Sequence, residues 1–226
     1  MFMDYHQETA WDLRLNLFGT PIRVHPMFWI VTVILGWDLF TSTNDLSLLV
    51  AWVLAVFFSI LLHEMGHVLM GNYFGTTGFI ILHGFGGLAI GSNHLSNRWK
   101  RIAVSLAGPG IQLVLYFLII GLLSTNLLPK PETELTRKFN EFLSLLLYIN
   151  FYWPFLNLLP VFPLDGGQAL KDFLGGLLRN GDKIAYIISS LFAILAVLYF
   201  ASTQNYFLVF LFLMMAIQNF ENVRRA

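Results

Sequence analysis

The sequence predicts an all-α polytopic membrane protein with about six transmembrane helices and one small glycine-rich β-hairpin. Three observations carry this. Of 226 residues, 57% are hydrophobic and only 12% charged, against about 25% charged in a soluble domain. Mean hydropathy is +0.68. Uncharged apolar runs recur at 102–123, 142–164 and 184–220, and a spanning helix needs roughly 20 such residues.

The elements follow in order. A first segment, about 27–43, is short and open to a re-entrant path. The first 26 residues hold Asp4, Glu8, Asp12, Arg14 and Arg23 and no apolar core, so no signal peptide is expected. The second segment, about 46–73, opens on an uncharged run that ends in a polar cluster. Residues 71–91 then carry seven glycines around the apolar strings 79–82 and 88–90, which reads as a hairpin. In the third segment, about 102–123, Pro109 predicts a kink, and Gly108 and Gly110 predict close helix packing. The fourth, about 140–158, should unwind after Leu159, because Pro160 and Pro163 cannot occupy a helix interior. Gly166 and Gly167 are expected to supply backbone turns closed to other residues. The polar break at 202–205 divides the last apolar run into two spans, about 184–201 and 205–220. We read 1–226 as a single membrane domain without a soluble appendage, and 130–141 as a solvated external loop.

Charge placement orients these spans. With both termini cytoplasmic, the inside carries Arg14, Arg23, Arg98, Lys100, Arg101, Lys171, Arg179, Lys183, Arg224 and Arg225, and the outside carries Lys130, Arg137 and Lys138. This agrees with the positive-inside rule. The expected setting is a multi-pass protein of the cell (inner) membrane, in contact with lipid. Zero net charge offers nothing to a nucleic acid. The absence of cysteine removes disulfides and thiolate ligands, so a metal would have to be held by His, Asp or Glu.

The chemistry-bearing residues are His63-Glu64-Met65-Gly66-His67. Positions i and i+4 share a helix face, so His63 and His67 can present two imidazoles to one metal ion. Glu64 is placed to take a proton from water there. The bland reading is a polar helix end. Against it, a His/Glu cluster at membrane depth is expensive and is by default functional. A hydrolytic zinc site needs a third protein ligand. Asp165, in Asn157-Leu158-Leu159-Pro160-Val161-Phe162-Pro163-Leu164-Asp165-Gly166-Gly167, is the candidate. The residues alone leave two roles open to it, metal ligand or N-cap of a helix beginning near Gln168.

H-E-x-x-H in one apolar helix, followed about 100 residues later by N-x-x-P-x-x-P-L-D-G-G, resembles the site-2 protease family of intramembrane zinc metalloproteases. The stretch from Leu17 to Pro26 resembles that family's lead-in to its first helix. The resemblance implies one zinc per chain, held by His63, His67 and Asp165, with Glu64 as general base. It also implies that Asn157 holds the substrate or its oxyanion; an interhelical hydrogen bond is the plainer role. Around Ser105 to Gln112 the chain matches the family's G-P segment, but it has Gln112 where asparagine is common. We expect packing rather than chemistry from this stretch.

The hairpin offers Gly86 and Gly87 as candidate substrate-binding positions, if its edge pairs with an unwound substrate strand. An interfacial turn is the alternative. His25 is expected to anchor the first segment, and His83, His94 and His6 are given no chemistry. The expected substrate is a single-span transmembrane protein cleaved in regulated intramembrane proteolysis, with a regulatory membrane partner allowed. Three other functions fit the same residues: a membrane zinc hydrolase acting on a non-peptide bond, a metal-ion transporter, and a silent scaffold. Only hydrolysis needs Glu64.

Overall fold

A computed structural model describes residues 8–84, 86–125 and 132–226; Asp4, His6 and Lys130 lie outside them. The described chain runs β1 (Leu13–Leu17), β2 (Thr20–Val24), α1 (Pro26–Leu35), α2 (Trp37–Thr43), α3 (Leu46–Tyr73), β3 (Phe79–His83), β4 (Gly86–Ile90), α4 (Arg98–Leu123), α5 (Glu134–Asn157), α6 (Asp165–Leu177), α7 (Gly181–Ser202) and α8 (Tyr206–Arg225).

Helix starts are set by local capping. His25 accepts from the Met27 N–H, with Pro26 at the first helical position of α1. Asp45 accepts from Ser47 and Leu48 ahead of α3, and Asn97 from Trp99 and Lys100 ahead of α4. The first predicted segment is two helices bent by 44° at Gly36. The Trp52 side chain occupies the space a Cβ on Gly36 would need, and its Nε1–H donates to the Thr32 carbonyl at 3.0 Å.

Among the described residues four helices, α3, α4, α7 and α8, are long and apolar enough to cross a membrane, or five spans if the bent α1–α2 pair counts as one. The expected count of six is therefore not reached by length and composition alone. Helix α5 has the length, but Glu134, Arg137, Lys138, Asn140 and Glu141 fill its first third.

The all-α expectation needs one correction. The 79–90 hairpin is present, but it is half of a four-stranded sheet ordered β1-β2-β3-β4. Strands β1 and β2 pair antiparallel around Phe18-Gly19, both at positive φ, and β2 pairs in parallel with β3 through Ile22↔Ile80 and Val24↔Leu82. Val24, Ile80 and Leu82 are fully buried and pack with Val56, Ile60 and Val68 of α3. The sheet thereby fixes the face of α3 that carries the motif. A second apolar cluster joins Val161 to Ala193 of α7 and to Phe212, Met215 and Ala216 of α8.

Gly166 and Gly167 also differ from expectation. Both lie in α6, and neither has positive φ. A Cβ on Gly166 would run into the Leu158 carbonyl, and one on Gly167 into the Val161–Phe162 peptide. They are glycine because helix α6 begins in direct contact with the loop that precedes it.

Candidate metal centre

His63 and His67 project from one face of α3, and Asp165 is the first residue of α6. All three are buried, and their ligand atoms converge. His63 Nε2 lies 3.1 Å from His67 Nε2 and 3.0 Å from Asp165 Oδ2, and His67 Nε2 lies 3.4 Å from Asp165 Oδ1. At zinc–ligand bonds of about 2.0–2.2 Å, the corners of a tetrahedral site are roughly 3.3 Å apart. The spacing fits.

The other ring nitrogens decide what these atoms are. His67 Nδ1 is 2.7 Å from the Val104 carbonyl, which can only accept. His63 Nδ1 is 2.8 Å from Gln112 Oε1, and the Gln112 amide orients that oxygen by donating from Nε2 to the Ser59 carbonyl at 3.1 Å. Both Nδ1 atoms must therefore carry a proton, and in the neutral imidazoles that leaves a lone pair on each Nε2. Two imidazole lone pairs and a carboxylate then face one another in a buried space, and Asp165 Oδ2 has no hydrogen-bond donor. A divalent cation relieves that arrangement, and zinc suits a His₂-carboxylate set.

Asp165 does not cap α6, since no side chain makes an N-terminal cap hydrogen bond there. The metal-ligand alternative for this residue is the one the geometry favours. Gly108 of α4 lies against both imidazoles, and a Cβ there would collide with His67 Nε2. Gly66 brings α3 onto the Ala107 carbonyl in the same way. The expected packing role of this stretch is present, but it is not the whole of it. Gln112 is fully buried and orients His63, a role the sequence reading missed. The available signal was a glutamine inside an apolar run.

A cavity of about 540 Å³ opens beside the triad, with Glu64, Gly87, Ala89, Ser105 and Asn157 in its wall. Glu64 is buried, and Gly87 of β4 gives it room: a Cβ on Gly87 would overlap the Glu64 side chain. Gly86, at φ +120, opens β4 against Trp153 and lines a second cavity of about 280 Å³. Asn157 reaches the main cavity, but one amide N–H donates to the Trp153 carbonyl of its own helix at 3.0 Å. His83 also lines that cavity. Burial and, less strongly, His25 hold its imidazole down at about 4, so it is neutral near pH 7. Among the described residues, no other cluster of three potential ligands is found.

The model of peptidase family M50 matches residues 129–199, the span that contains Asn157 and Asp165. A Synechocystis sp. protein named "Putative zinc metalloprotease sll0528" is 34% identical over 186 residues, covering 77% of this chain and 47% of its own length. Over residues 129–199 the chain is similar to peptidase family M50. A second relative, stage IV sporulation protein FB of Bacillus subtilis, is 32% identical over 151 residues, 66% of this chain and 46% of that protein. The chain thus spans about half the length of the curated relatives it matches. Its fold is that of the solved site-2 protease from Methanocaldococcus jannaschii, with a TM-score of 0.64 at 23% identity over 94% of this chain and 95% of that one.

Proposed function

We propose that this chain is a zinc-dependent intramembrane endopeptidase that cleaves single-span transmembrane proteins in regulated intramembrane proteolysis. The carrying observation is the convergence of two Nε2 lone pairs and a carboxylate beside Glu64, at the wall of a cavity within apolar helices. In this reading His63, His67 and Asp165 hold the metal. Zinc, when bound, supplies Lewis acidity and activates water. The Glu64 carboxylate takes the proton from the attacking water and delivers it to the leaving nitrogen. Asn157 keeps a second amide hydrogen for the developing oxyanion.

Strand β4 is an edge of the sheet and borders the cavity, which suits an extended substrate strand pairing along it. Gly86 and Gly87 serve that path through an unusual φ and through room for Glu64. The proposed setting is the cell membrane. Six segments cross it, with both termini and the metal centre towards the cytoplasm, lipid around the helices, and room for a regulatory membrane partner.

The test pairs wild type with Glu64→Gln, assaying bound zinc and cleavage of a model single-span substrate in detergent. Zinc in both proteins and cleavage by wild type alone is the expected result. Cleavage that survives the substitution would overturn the role of Glu64, and metal transport unaffected by it would overturn hydrolysis.

A further inference from the structure

The peptide groups of Phe162 are held by side chains from two other helices. Its N–H donates to Ser189 Oγ of α7 at 3.1 Å, and its carbonyl accepts from Asn219 Nδ2 of α8 at 2.5 Å. Ser189 and Asn219 are fully buried, and neither belongs to the metal triad. Phe162 lies in the non-helical stretch between α5 and α6, where backbone groups at membrane depth must find partners outside a helix ladder. Helix α6 closes a third side, because Gly167 sits directly on the same peptide. The Phe162 ring meets Tyr186 edge-on at 5.5 Å, with the Lys171 ammonium 5.3 Å from its centre. Three residues later comes Asp165.

We propose that Ser189 and Asn219 are positioning residues for the third metal ligand: they fix the Phe162 peptide, and that peptide fixes where Asp165 meets His63 and His67. Removing either side chain leaves a partly buried backbone group without its side-chain partner. The stretch then shifts to find another, and Asp165 shifts with it. Helix α8 also walls the cavity through Phe210, Met214 and Gln218, so the seat of the α7–α8 pair and the geometry of the metal centre are linked. This inference rests on the metal centre and does not require the peptidase reading.

The test titrates the full chain in detergent with zinc and with cobalt(II), as wild type, Ser189→Ala and Asn219→Leu. Loss of an outer partner of a metal ligand typically weakens affinity about 10–100-fold. That loss is expected here, with an altered cobalt visible spectrum and a smaller rise in thermal midpoint on metal addition. Ser189→Ala is the mild variant, since alanine suits a helix interior, and it carries the test alone if Asn219→Leu does not fold. Unchanged affinity and spectrum in the folded variants would overturn the inference. So would equal falls in midpoint with and without metal, which mark a packing role only. A wild type that binds no cobalt would overturn the metal centre itself, and that is seen before any variant is made.

Discussion

His63 and His67 are each committed to the Nδ1–H tautomer by an oxygen that cannot donate to them, so their metal-facing nitrogens are set before any ion arrives. For His67 that oxygen is backbone and cannot be mutated away; for His63 it belongs to Gln112. Gln112→Leu is expected to weaken metal binding about 10–100-fold, measured by competition with a chromophoric chelator. Unchanged affinity would mean that packing alone orients the ring. The sequence made His63, Glu64 and His67 legible because i and i+4 spacing is local geometry. It marked Asp165 only as a carboxylate emerging from an uncharged run. Gln112 was not legible, because its partner stands 49 residues away on another helix. Gly87 was read as a place for substrate, and the structure adds that its missing side chain is where Glu64 lies.

At the scale of elements, α4 and α6 are joined by partly buried ionic contacts on Asp172, from Arg101 and, at 3.8 Å, from Arg98. Arg101 of α4 meets both carboxylate oxygens of Asp172, and Arg98 pairs with Asp182 of α7 at 2.8 Å. Asp172 lies two turns beyond Asp165, so the contact secures the far end of the helix that begins with the metal ligand. Asp172→Asn is expected to lower stability by about 2 kcal/mol, below the usual value for a broken buried pair because Arg101 is partly exposed. The double replacement Arg101→Met with Asp172→Leu should lose less than Asp172→Asn alone, since it strands no charge. Unfolding in detergent compares the two, and a larger loss in the double variant would show that the pair supplies net stability. The long helices and the hairpin were legible from apolar runs and glycine spacing. Strands β1 and β2 were not read, although Leu13, Leu15 and Leu17 alternate with Arg14 and Asn16 ahead of Phe18-Gly19. The pairing of β2 with β3 spans the whole of α1 to α3, which no local pattern announces.

For the whole molecule, the layout is open to a clean test because the chain has no cysteine. Thr203→Cys, in the exposed turn between α7 and α8, should react with an impermeant maleimide on intact cells. Asn180→Cys, exposed ahead of α7, should react only after the cells are opened. The reverse pattern would invert the proposed orientation. Two of the basic residues behind that orientation, Arg98 and Arg101 at the start of α4, pair with Asp182 and Asp172.

The parallel pairing of β2 with β3 carries one further consequence, which is a matter of parity. A chain that leaves a strand and returns to hydrogen-bond beside it has crossed the bilayer an even number of times. In the proposed layout helix α3 makes one crossing between β2 and β3, and the bent α1–α2 pair makes the other. The contact of Arg101 with Asp172 makes the same demand across α4 and α5. In the proposed layout α5 crosses as well, although the charged residues in its first third keep it out of the helices selected by length and hydropathy.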